Sequence, residues 1–137
     1  MELVIEDKFL CFDEIRLEYH PYYFRIWDYD SVDHRIAVRM VLEQWATALE
    51  SLGAKGTSVY LPYHLNDETC RVLKATLRDD VLTLANLLIE ENGYSLALDD
   101  LYDFMHAEPR VHQSEPFGSF DLQEFLSALQ NAKISNE

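Results

Sequence analysis

Between Asp79 and Pro109 the chain has no lysine and no arginine. Its 11 Lys and Arg are scattered rather than clustered, and most lie before Asp79. Binding a nucleic-acid backbone needs several basic side chains converging on phosphates, so nucleic acid is excluded as an expected direct ligand. Cysteine is equally scarce. Cys11 and Cys70 stand far apart with no CxxC spacing, which rules out a disulfide framework or a Cys-type zinc site and predicts two reduced thiols buried in strands. The four glycines, Gly53, Gly56, Gly93 and Gly118, build neither GxGxxG nor GxxxxGK, so no phosphate-cradling loop is expected. No GxSxG is present, and none of the five histidines is spaced as HxH or HxxxH. No apolar run approaches the ~20 residues that cross a bilayer, so no membrane contact is expected. The opening Met1-Glu-Leu-Val-Ile-Glu-Asp7 lacks the basic start and long apolar centre of a secretory leader, which points to the cytoplasm.

What the chain has in excess is acid. Its 137 residues carry 25 Asp and Glu, for a formal net charge of -14. Residues 1–78 hold 13 acids and 9 bases, net -4; residues 79–137 hold 12 acids and only Arg110 and Lys133, net -10. Folding does not call for such an imbalance, and self-repulsion opposes it. Solubility is one explanation; a surface that docks onto a basic protein is the sharper one. A disordered acidic tail is excluded by eight Tyr, seven Phe and two Trp. The length fits one domain with a core of its own.

The elements follow from periodicity. Glu2–Ile5 is a short apolar run. From Phe9 to Tyr19 the chain reads as a strand, with Ile15, Leu17 and Tyr19 alternating against Arg16 and Glu18. His20-Pro21 interrupts it, and the aromatic-rich Tyr22–Trp27 resumes it as a second strand of a hairpin. A long helix is predicted next, capped by Ser31 with Asp33 in its first turn. Val38, Val41, Leu42, Trp45, Leu49 and Leu52 form its apolar stripe, and Gly53 ends it. Thr57–Tyr63 reads as a strand, which Pro62 assigns to a sheet edge or a bulge. Thr69–Arg78 and Val81–Ile89 alternate on both sides of Asp79-Asp80 and predict a hairpin, although their Leu and Ala content also suits a helix. A short helix follows through His106, then an irregular stretch over 107–118. A last helix is capped by Asp121, with Glu124 completing a capping box and Phe120 and Phe125 a hydrophobic staple. The expected class is therefore α+β, with an antiparallel sheet of about five or six strands, one long helix and two C-terminal helices.

The densest set of chemistry-bearing side chains is Asp103, His106, Glu108 and His112. Asp103 and His106 share a helix face, but His112 lies in the irregular stretch, and no metal or other cofactor is expected. With 25 acids some close pair of carboxylates is inevitable, so paired-carboxylate chemistry has no specific support. The candidate partner-binding residues are Asp79, Asp80, Glu90, Glu91, Asp99, Asp100, Asp103 and Glu108, joined by Asp28 and Asp30 on either side of Tyr29, and they are expected to share one exposed face. Aromatic rings supply contact area and carboxylates steer encounter.

In its small size, acidity, α+β pattern and want of a catalytic motif the chain resembles the bacterial immunity proteins that neutralise polymorphic toxins. The resemblance rests on character rather than motif and transfers no residue. It implies a non-catalytic inhibitor bound tightly to a basic partner such as a toxin nuclease, with carboxylates masking the partner's active site. Two other readings stand beside it. One is a homodimeric structural or regulatory protein burying Tyr22, Tyr23, Trp27 and Tyr29. The other is a small enzyme or ligand-binding domain with a pocket gathering His106 and His112.

Overall fold

The computed structural model describes residues 1–13, 15–19, 34–53, 56–66, 68–91 and 98–134, and for residues 34, 35, 37 and 98–100 the backbone alone. Its strands are β1 (Leu3–Glu6), β2 (Phe9–Phe12), β3 (Ile15–Glu18), β4 (Ser58–Leu65), β5 (Thr69–Arg78), β6 (Val81–Glu90), β7 (Arg110–Asp121) and β8 (Lys133–Ile134); its helices are α1 (His34–Glu50), α2 (Leu98–His106) and α3 (Leu122–Gln130). The class is α+β, but the strands form two sheets rather than one. The smaller sheet runs β3-β2-β1-β8 and the larger β4-β5-β6-β7. Every pairing is antiparallel except β1 with β8.

The first divergence from the sequence reading is at Asp13. Phe9 to Tyr19 is not one strand but a hairpin of β2 and β3 that folds back on itself. Asp13 turns it with φ 53°, and Asp7 turns β1 into β2 with the same φ. The fold-back puts Ile15 at 36 % exposure while Leu17 and Tyr19 stay buried. The predicted strand Tyr22–Trp27 and the caps Ser31 and Asp33 lie outside the described residues.

Helix α1 buries the stripe that its spacing predicted, from Val38 to Leu49, with Trp45 wholly enclosed. The Trp45 indole N–H donates to the Pro62 carbonyl at 2.9 Å. That acceptor is where the β4–β5 register shifts, between Pro62 and His64. Pro62 thus sits at a bulge of an edge strand, where a residue without an N–H loses nothing. Gly53 leaves α1 at φ 94°, and its N–H donates to Gly56 O at 2.7 Å.

The hairpin of β5 and β6 pairs ten residues against ten, Thr69 with Glu90 through Arg78 with Val81. Asp79 and Asp80 close it with φ of 51° and 66°, the double left-handed conformation of a type I′ turn. The same turn anchors α3, whose first amide, Leu122 N–H, donates to Asp80 O at 2.9 Å. Asp121 caps α3 by accepting from the Glu124 N–H at 3.1 Å, and Phe120 meets Phe125 at 5.6 Å, the staple read from the sequence. Phe125 also stacks on Phe12 of β2 at 5.6 Å, while Phe117 meets Phe12 edge-on at 6.0 Å. These rings join the two sheets and α3 into one continuous core that holds no buried polar or charged residue among those described.

The second divergence is β7. Residues 107–118 were expected to be irregular, yet Arg110–Asp121 is a twelve-residue strand along β6. Register shifts at Leu84/Ala85 and Leu88/Ile89 let it accommodate Pro116 and Gly118.

Candidate functional site

Four of the carboxylates picked out by the sequence, Asp79, Asp80, Glu90 and Glu91, stand at the two ends of the larger sheet. Asp79 and Asp80 form the tip of the β5–β6 hairpin, and both are exposed. Glu90 and Glu91 stand at the far end of β6. Ten strand residues at ~3.3 Å each separate the two sets by about 30 Å. Asp103 and Glu108, on and just after α2, are exposed, and the backbone of Asp99 and Asp100 lies in the first turn of α2. Asp28 and Asp30 lie outside the described residues. The selected acids therefore do not make one contiguous patch.

Each end has its own surroundings. At the hairpin tip Asp121 pairs with Val81 across the β6–β7 ladder, and Glu124 follows in the first turn of α3. Asp79, Asp80, Asp121 and Glu124 thereby gather at one end with Arg78 flanking the turn. Sequence reasoning treated Asp121 and Glu124 as capping residues alone; only the β6–β7 register shows that the cap joins the tip.

The other end is partly neutralised. Glu90 receives Arg110 on one oxygen at 2.9 Å and His112 on the other at 2.8 Å. Its carboxylate therefore fastens β7 to β6 as well as facing solvent. Glu91 and Glu108 press on neighbouring acids. Glu91, after burial itself, helps hold the Cys70 thiol up at about 11, and Glu108 adds to the burial that raises the Tyr60 phenol. Exposed Glu68 lies beside Thr69, the residue paired with Glu90.

The residues weighed for catalysis do not converge. His106 is bound within the helices, with Nδ1 at 2.9 Å from Tyr102 O and Nε2 at 3.0 Å from the Ser51 hydroxyl, which lies 2.6 Å from Ala48 O. His112 is engaged with Glu90 on β7. Among the described residues no three His, Cys, Asp or Glu side chains come together as a metal site. Cys70 is buried with its Sγ directed at Glu91 O, 3.4 Å away, and Cys11 is half-buried.

The chain matches no known protein family, no curated protein and no solved structure. The chemistry of the surface therefore has to carry the functional reading. Apart from the acidic ends, the described surface of the larger sheet carries an open groove of about 330 Å³ lined by Arg71, Asn86, Leu88, Gln113, Ser114 and Glu115. At its margin the Tyr63 hydroxyl donates to Asn86 Oδ1 at 2.6 Å; burial raises the Tyr63 phenol, while Arg71 opposes that shift. No described helix is long and apolar enough to cross a membrane.

Proposed function

We propose that this chain is a non-catalytic acidic protein-binding module, an immunity- or antitoxin-like inhibitor that docks onto a basic protein in the cytoplasm. The observation that carries this reading is the net charge of -10 over residues 79–137, of which Asp79, Asp80, Asp121 and Glu124 stand exposed at one end of the larger sheet and Glu90, Glu91 and Glu108 near the other. Carboxylates so placed attract a basic partner from a distance and orient it on arrival, which raises the association rate most at low salt. Their separation of about 30 Å favours a broad footprint over a single point of contact.

The test is capture on the purified chain from its own host's lysate at low and at high salt, with bound proteins identified by mass spectrometry. One basic protein retained in stoichiometric amount, and captured faster at low salt, is the expected outcome. A mixture of basic proteins that washes off together at moderate salt would contradict the reading and leave solubility as the reason for the acidity.

A further inference from the structure

We propose that the outer edge of β7 takes up an extended segment of the partner, basic at both ends, as a fifth strand of the larger sheet. This rests on the acidic-module reading above and gives the partner a place and a shape.

β7 ends the strand order, and among the described residues nothing pairs with its outer side. Residues 110–116 are exposed one after another, so an incoming strand meets open faces as well as open backbone. An edge of this length is a ready template for strand addition. Its ends are where the acids are. Glu91 and Glu108 stand near its start, with Glu68 two strands away and Glu90 already paired with Arg110 and His112 of β7 itself; Asp79, Asp80, Asp121 and Glu124 stand at its finish, whereas Val111–Ser119 holds a single carboxylate, Glu115. The two ends, about 30 Å apart, exceed a Debye length of ~10 Å and therefore act independently. A segment complementary to this edge carries cations at both ends of about ten extended residues.

The same arrangement argues against a second copy as occupant. Antiparallel pairing of two β7 strands sets the acidic start of one copy against the acidic finish of the other, and parallel pairing sets like against like. Pro116 and the register shifts around His112 and Phe117 interrupt the ladder once for an incoming segment but twice for a second copy, whose own β7 carries the same interruptions. Beside the middle of β7, the groove lined by Arg71, Asn86 and Gln113 offers a recess for a long side chain reaching across from the added strand.

The test uses the full chain at low salt with synthetic peptides of four Thr-Val repeats, flanked on both sides by two lysines, on one side only, or on both sides by two glutamates. Binding and amide hydrogen exchange are followed by NMR. The doubly lysine-flanked peptide is expected to bind best and to slow exchange within 110–121. The Asp79→Asn/Asp80→Asn and Glu91→Gln/Glu108→Gln variants should each weaken it about three- to tenfold. Equal binding of the glutamate-flanked peptide, absence of binding, or protection confined to other strands would overturn the proposal. So would concentration-dependent protection of β7 amides without peptide, which would assign the edge to a second copy. A captured basic protein that leaves β7 exchange unchanged would overturn this placement while leaving the inhibitor reading intact. Failure to capture any basic protein would remove the inhibitor reading whatever the peptides do.

Discussion

Four aspartates, Asp7, Asp13, Asp79 and Asp80, are the described non-glycine residues with positive φ. Asp tolerates this conformation better than most residues because its short side chain can bond locally, so part of the chain's acidity is turn chemistry. The double substitution Asp79→Asn/Asp80→Gly installs the pair that type I′ turns favour most and should raise stability by about 0.5–1 kcal/mol, read as a higher denaturation midpoint. Asp80→Val should lower it by about 1–3 kcal/mol, because a β-branched residue is strained there. The Asp79-Asp80 turn was legible because alternation continues on both sides of it. The Asp13 turn was not, because the alternation of Ile15, Leu17 and Tyr19 ran on from Phe9 without a proline or glycine to mark a reversal. Cys70 supplies a pH test. Burial raises its thiol from 9.0 to about 11, so the neutral thiol is the form that the fold favours. Its contribution is whole below pH 9 and is lost as the pH rises through about 11. Between pH 8 and pH 10.5 the parent should therefore lose more stability than Cys70→Ala in parallel chemical denaturation; equal losses would place the thiol in water.

Among the elements, α1 and α3 were the most legible, since a helical stripe and a cap are local signals. Asp121→Ala removes the acceptor for the Glu124 N–H and should cost about 1 kcal/mol by chemical denaturation. Trp45→Phe should cost more, about 1–3 kcal/mol, because it strands the buried Pro62 carbonyl. An effect below 0.5 kcal/mol would mean that the acceptor finds another donor. β7 was hidden for a physical reason. Arg110–Pro116 is exposed on both faces, so no alternation marks it, and Pro109, Pro116 and Gly118 read as loop residues. The strand exists because β6 offers it a ladder and its bulges absorb the proline, neither of which is written in its own sequence. The fourth strand of the smaller sheet was equally non-local, since β8 pairs with β1 across most of the chain.

For the whole molecule, the acidic excess was plain in the sequence, but its distribution was not. The chain places Asp79 and Glu90 eleven positions apart, near enough to suggest one patch. The ten-residue strand β6 between them makes that patch two. With a net charge of -14, self-repulsion should be relieved by added salt, so the melting temperature should rise by a few degrees between 10 and 500 mM sodium chloride. A fall would mean that favourable ion pairs outweigh the repulsion. The central claim is that the two acidic ends steer a basic partner. The most direct measurement is the association rate with the captured partner across ionic strength, for the parent and for a variant carrying Asp79→Asn, Asp80→Asn, Glu91→Gln and Glu108→Gln. The account predicts a parent rate that falls at least tenfold from low salt to 0.5 M, and a variant that is slower at low salt and nearly indifferent to it. Rates that are alike for both proteins and flat with salt would contradict it.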